Sequence, residues 1–155
     1  LVIPVIHGLP YYQAYIIENK YSSIHSFKDL QGKTFAYTYS LSNTGKLYPY
    51  RRIKELFHST GKDFFSHTIY SHAHDISIQL VSKNVVDGAS VDGLIYDYIL
   101  KKYPDKIKNI RIIEKSENMG MPPVVTSKNI DKELRNELEK IGFKLVQYTY
   151  ELTKI

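Results

Sequence analysis

Between an apolar segment and a run with helical spacing, the chain sets Ser40, Ser42, Asn43, Thr44 and Gly45, within the stretch YTYSLSNTGKLYPYRRIKELF (residues 37–57). Small hydroxyl and amide side chains followed by glycine at a helix start can do definite chemistry. The leading turn of a helix leaves unpaired N–H groups and about half a positive charge. Hydroxyls from Ser42 and Thr44 can add donors there, and Gly45 lets the backbone come close to a tetrahedral oxyanion. Ser42 or Thr44 can equally serve as a plain helix cap, and the residues alone leave both roles open. A nucleotide P-loop is excluded, because the G-x-x-x-x-G-K-[ST] spacing is absent.

A second polar stretch, HTIYSHAHDIS, carries His67, His72, His74 and Asp75. It resembles the His-x-His-x-Asp-His motif of metallo-β-lactamase-like hydrolases. Asp75, however, follows His74 directly and no histidine comes after it, so the register fails and the remaining metal ligands are missing. A triad of Ser42, His74 and Asp75 lacks the G-x-S-x-G nucleophile elbow. The less demanding role for His74 is as a donor to an anion near a helix start, which needs no cofactor and no metal. Asp92 stands before another helix. It is either an N-cap or a carboxylate that selects a cationic or hydroxyl group on a ligand that is anionic elsewhere. Tyrosine is abundant, 14 residues with no tryptophan, and Tyr11, Tyr12, Tyr37 and Tyr39 fall near turns. Aromatic walls with hydroxyl tips suit small polar ligands, although core packing is the other use of such residues.

The elements that must position these groups follow from pattern. The 155 residues suit one compact domain, and 43% hydrophobic with 24% charged residues reads as globular. No apolar run reaches the ~20 residues that span a bilayer, and no secretory signal pattern is present. The chain opens on LVIPVI without a methionine, as a processed or excised piece of something longer would. Without cysteine there is neither a disulfide framework nor thiolate chemistry. A net charge of +5 spread along the chain gives no dense nucleic-acid stripe, so small anions are the expected partners and nucleic acid is not.

Apolar runs predict strands at Val2–Ile6 and Tyr15–Ile17, broken by Gly8-Leu9-Pro10. A helical turn in Ser26–Lys33 ends at Gly32, and a strand covers Thr34–Tyr37. Helical spacing puts Leu47, Tyr50, Ile53, Leu56 and Phe57 on one face, with Pro49 in the first turn. Thr68–Tyr70 reads as a strand, followed by a helix capped by Asp75 and running through Ile78 and Val81. Val86–Val91 is a strand before a helix at Gly93–Lys101, and Ile110–Glu114 and Pro122–Ser127 are the last two strands. Asp131 caps an amphipathic helix bearing Leu134, Leu138, Ile141 and Leu145. Strands alternating with helices argue for an α/β domain, with helices on both faces of a largely parallel sheet. Ligands of such sheets sit at the carboxyl ends of strands, which here carry Ser40–Gly45, Ser71–Asp75 and Ser90–Asp92.

Three ordered segments, DLQGKTFAYTYSLSNTGKLYP, SHAHDISIQLVSKNVVDGASVDGLIYDYI and GMPPVV, resemble the phosphonate, phosphite and phosphate substrate-binding proteins of ABC transporters. The resemblance runs from about Val5 to Val125. It implies the type II periplasmic-binding-protein fold, a three-layer αβα sandwich, present here as one lobe plus crossover strands. The whole chain, residues 1–155, would be a single solute-binding domain with crossover strands in residues 1–20 and 120–130. The family's oxyanion loop matches Ser42, Asn43, Thr44 and Gly45, with Asn43 replacing the usual hydroxyl residue. Its histidine matches His74, its crossover tyrosine Tyr12, and its acidic residue Asp92. The implied activity is binding, not catalysis, of a phosphonate- or phosphate-like anion on the periplasmic or extracellular side of the membrane. The implied partner is an ABC permease. The alternative is a ligand-binding sensor domain fused to the membrane signalling domains of a histidine kinase or diguanylate cyclase.

Overall fold

The segment AYIIEN buries all six of its side chains, so both faces of that strand must be covered. The computed structural model describes residues 3–58 and 63–152, with side chains through residue 142. In chain order the strands are β1 (Tyr11–Tyr12), β2 (Ala14–Asn19), β3 (Thr34–Tyr37), β4 (His67–Tyr70), β5 (Gly88–Asp92), β6 (Ile110–Lys115) and β7 (Met119–Gly120). The α-helices are α1 (Tyr48–Phe57), α2 (His74–Ser82), α3 (Gly93–Lys102) and α4 (Lys132–Leu152). The chain divides into two compact units, Gln13–Glu117 and Leu1–Tyr12 with Asn118–Ile155.

In the larger unit five strands pair in the order β4-β3-β5-β2-β6. β3 runs parallel to both β4 and β5, with Tyr37 opposite Tyr70 and Ala36 opposite Ala89. The expected parallel sheet is interrupted by β2, which lies antiparallel to β5 and to β6. Four of the five strands therefore point one way and β2 alone is reversed. Alternation along each strand sorts the side chains. Tyr15, Ile17, Ala36, Ala89 and Val91 face Ile78 and Val81 of α2 and Tyr96 and Ile99 of α3. On the opposite face Phe35 stacks on Phe65 at 4.3 Å, Phe65 meets Phe64 edge-on, and Phe64 meets Phe57 of α1 at 4.7 Å. Helices thus cover both faces, and the layers are α, β, α.

Local signals set several boundaries where the sequence places them. Gly32, at φ +71°, follows the 3-10 turn Phe27–Leu30, and Pro49 lies in the first turn of α1. Asp92 caps α3, and Asp131 accepts from the Glu133 and Leu134 amides at 2.9 and 3.1 Å to cap α4. Other expectations fail for physical reasons. Asp75 is not the cap of α2: Ala73 holds that position and Asp75 lies inside the first turn. The turn is closed instead by Ser71, whose hydroxyl reaches the Ala73 carbonyl at 2.9 Å and Ser77 Oγ at 2.7 Å. On α1 the buried residues are Tyr48, Pro49 and Ile53, while Leu47 and Tyr50 are exposed.

In the smaller unit β1 pairs antiparallel with β7, Tyr12 opposite Met119. Of the strand expected at Val2–Ile6, Val2 lies outside the described residues and only Ile6 pairs, in an isolated bridge to Leu9. Pro122–Ser127 is likewise no strand and contains one bridge residue, Val124. Pro122 and Pro123 have no N–H to give a ladder. On α4, Leu134 and Ile141 are exposed, and Leu145 lies outside the described side chains.

Ile53, on the inner face of α1, is fully buried. Ile53→Ala should lower the unfolding free energy by about 2–5 kcal/mol, read by urea denaturation.

Candidate functional site

The hydroxyl-rich loop leaves the end of β3 and turns back over it. Ser42 caps a π turn, Asn43–Leu47, that leads into α1. The Lys46 and Leu47 amides both donate to the Ser42 carbonyl, at 3.0 and 2.9 Å, and the Gly45 amide donates to Ser42 Oγ at 3.0 Å. Asn43 is exposed at the leading edge, whereas Thr44 is buried. Gly45 lies against Thr38, the first residue after β3. A Cβ on Gly45 would stand 1.8 Å from Thr38 Oγ1 and 2.9 Å from Ser42 Oγ. Glycine at this position is therefore required by internal packing, whatever approaches from outside. Thr38 Oγ1 is itself buried and, among the described residues, has no hydrogen-bond partner. An unpaired buried hydroxyl costs on the order of 1–3 kcal/mol.

Two hydrogen bonds tie this loop to the other two polar turns. Ser90 of β5 donates its hydroxyl to the Thr44 carbonyl, and the Asp92 amide donates to His74 Nδ1 at 3.0 Å. The second bond decides the chemistry of His74. A ring nitrogen that accepts carries no proton, so the neutral imidazole has its proton on Nε2 and presents that atom as a donor. Burial pushes the His74 pKa below its ordinary value, while the nearby Asp92 and Asp75 carboxylates pull the other way. The result is a neutral donor held in one tautomer.

That geometry also departs from a catalytic triad. In a catalytic triad the histidine donates Nδ1–H to a carboxylate, whereas here Nδ1 accepts from an amide. Among the described residues no group of three or more His, Cys, Asp or Glu is arranged to hold a metal. Asp92 spends Oδ1 on the cap of α3, accepting from Leu94 at 2.8 Å and Ile95 at 3.3 Å. Burial pushes its pKa up, and the two amides and His74 offset part of that rise.

A cavity of about 470 Å³ lies between α2 and α3, lined by Tyr39, His74, Ile78, Ile95, Tyr98 and Lys106 among others. Ser42–Gly45 and Asp92 are not part of its wall. Among the tyrosines singled out, Tyr37 is buried and Tyr39 stands half exposed against His72, while Tyr11 and Tyr12 belong to β1 in the other unit. Sequence reading missed Thr38 and Lys46, and it placed Ser90 in the third polar turn without giving it a bond. Ser90 sits two residues before Asp92 and so points to the opposite sheet face from Val91, a placement that strand alternation could have supplied.

The fold is that of an α/β lobe whose three polar turns are tied together through β5. Over residues 1–149 the sequence matches the family of ABC-transporter phosphonate periplasmic substrate-binding proteins, and the chain belongs to that family. It is similar to a binding protein component of an ABC phosphonate transporter from Pseudomonas aeruginosa, at 26% identity and a TM-score of 0.80, over 91% of this chain and 48% of that one. PhnD1 from Prochlorococcus marinus, solved with methylphosphonate, shares the fold at 19% identity and a TM-score of 0.66, over 77% of this chain and 46% of that one. A Xanthomonas citri protein solved with ATP also shares it, at 17% identity and a TM-score of 0.73, over 89% and 54% of the two chains. The chain thus spans about half the length of these structures and carries one lobe of the type II periplasmic-binding-protein fold.

The imidazole of His74 should show the Nε2-protonated tautomer in nitrogen-15 spectra and titrate below its ordinary value of 6.5. With the folded pKa depressed, the unfolded chain binds the proton first. The stabilising contribution is full above 6.5 and is lost as pH falls through the folded value. A proton on Nδ1, or a midpoint above 6.5, contradicts the assigned bond. Thr38→Val keeps the shape and removes the orphan hydroxyl, so thermal unfolding should show equal or higher stability. Gly45→Ala should destabilise strongly.

Proposed function

We propose that this chain binds a small oxyanion of the phosphonate or phosphate type and serves ABC-type uptake on the extracytoplasmic side, delivering to a membrane permease. Ser42, Asn43 and Thr44 at the start of the helix hold the anion's oxygens, Gly45 serves by letting the turn pack closely on Thr38 with its amide on Ser42 Oγ, and His74 Nε2 donates to one of the oxygens. Asp92 keeps one carboxylate oxygen outside the cap, where it favours a donor group on the ligand's substituent.

The observation that carries the reading is the Asp92 amide bonded to His74 Nδ1. It fixes a neutral donor at a helix start and, through β5, joins it to the turn that Ser42 caps. A neutral donor needs no proton bookkeeping when an anion arrives, and amides with a hydroxyl can match several oxygens at once. Membership of a periplasmic substrate-binding family supports the role in transport.

The test is a titration of the purified chain with methylphosphonate, phosphate, phosphite and sulfate, followed by amide NMR shifts and thermal unfolding. Shifts should concentrate at residues 42–46 and 74. A hydrogen bond to a charged oxygen is worth roughly 1.5–3 kcal/mol, so His74→Ala should weaken binding by about tenfold or more. Shifts confined elsewhere, or unchanged affinity in His74→Ala, reject the site.

A further inference from the structure

Lys46 follows Gly45 directly, inside the π turn that Ser42 caps. Its ammonium lies 3.4 Å from the centroid of the Tyr37 ring, with Tyr70 at 5.6 Å and Tyr50 at 6.0 Å. Among the described residues no carboxylate lies within ion-pair distance of it, whereas Arg51, Arg52, Arg111 and Arg135 are each paired with a glutamate. The distinction is physical. A carboxylate would fix a lysine and cancel its charge, while a ring face fixes it by its quadrupole and cancels nothing. The Tyr37 hydroxyl stays neutral as well, since burial pushes its pKa up, with Tyr70 and Tyr50 adding to the shift. The same turn holds the buried, unpartnered Thr38 hydroxyl against Gly45, so it carries two unspent polar features.

We propose that Lys46 is a specificity-determining residue of the oxyanion site, a fixed and uncancelled cation behind the loop that favours doubly charged over singly charged ligands. The inference rests on the loop reading above and adds to it the charge class of the ligand. Coulomb energy is linear in ligand charge, so removing a fixed cation changes the affinity for a dianion by the square of its effect on a monoanion of the same shape. Hydrogen-bond donors of the loop and the imidazole do not impose that ratio.

Methylphosphonate in mildly alkaline buffer and methanesulfonate make the required pair, a dianion and a monoanion that are both tetrahedral with one methyl group. NMR titration of the chain reads constants into the millimolar range. Lys46→Met should weaken methylphosphonate by about tenfold and methanesulfonate by about threefold, with the larger loss shrinking as salt is raised. Lys46→Arg, which keeps the charge on the same ring faces, should retain most of the affinity for both. Equal losses for the two anions in Lys46→Met, or a loss in Lys46→Arg as large as in Lys46→Met, overturns the proposal. Ser42→Ala separates the two readings. If it leaves affinity untouched while Lys46→Met shows the squared ratio, the loop assignment falls and the Lys46 role stands. If only Ser42→Ala loses affinity, the reverse holds. Absence of binding by the unaltered chain overturns both.

Discussion

An amide proton is given most fully to one acceptor, and that of Asp92 goes to the Nδ1 of His74 at 3.0 Å. From this one bond follow the tautomer of the imidazole, the direction in which its remaining proton can be offered, and the loss of triad geometry. It also joins the start of α2 to the end of β5. Two residues earlier on the same strand, Ser90 performs the matching task on the sheet face opposite Val91 by holding the Thr44 carbonyl. β5 is therefore the member that keeps the polar turns in register with one another. Its partners explain its rigidity: β3 lies parallel on one side and β2 antiparallel on the other, so neither edge is open.

Charge is handled differently away from those turns. Glu114 on β6 takes both Tyr48 and Arg52, the arginine through two nitrogens at 2.8 and 2.9 Å, and so pins the first two turns of α1 to the sheet. Glu18 is fully buried, yet its two oxygens are met by Arg111 at 2.6 Å and the Ser22 hydroxyl. A buried carboxylate with both oxygens satisfied tolerates burial that an unpaired one could not. Cations and anions are spent on each other wherever they merely hold elements together. Lys46, like Lys20, Lys106 and Lys115, is seated instead on tyrosine ring faces and matched to no carboxylate among the described residues; what sets it apart is its place in the turn that Ser42 caps.

Much of the fold was legible because short-range physics set it. Thr34–Tyr37 is a short, largely apolar run that follows the turn at Gly32, and it forms a strand with those limits. Asp92 before an apolar run caps a helix because a carboxylate meets two bare amides there. Legibility ended where distant residues decide. Nothing in the run VIPVI distinguishes a strand from an unpaired segment, since pairing depends on a partner elsewhere in the chain. The reversal of β2 is a matter of topology, and no local pattern announces it. At the site, the polar types in Ser42–Gly45 and at His74 and Asp92 stood out, but their bonds did not. Asp75 looked like a cap by type, while Ser71 closes that turn through Ser77, six residues on. Gly45 invited a reading about close approach by a ligand, and the contact found on it is Thr38.

The reversed strand has one more effect. Ala14 opens β2 opposite Asp92, and its amide and carbonyl are bonded to Ser116, at 2.9 Å in each case. The first and last residues of the larger unit consequently lie side by side, at the rim that carries the polar turns. In polymer terms the unit is a nearly closed ring of chain, attached to everything else by two adjacent peptide links. Closing such a ring costs little entropy, because the ends already meet. The unit thus has the chain topology of an insertable cassette, with its entry and exit side by side.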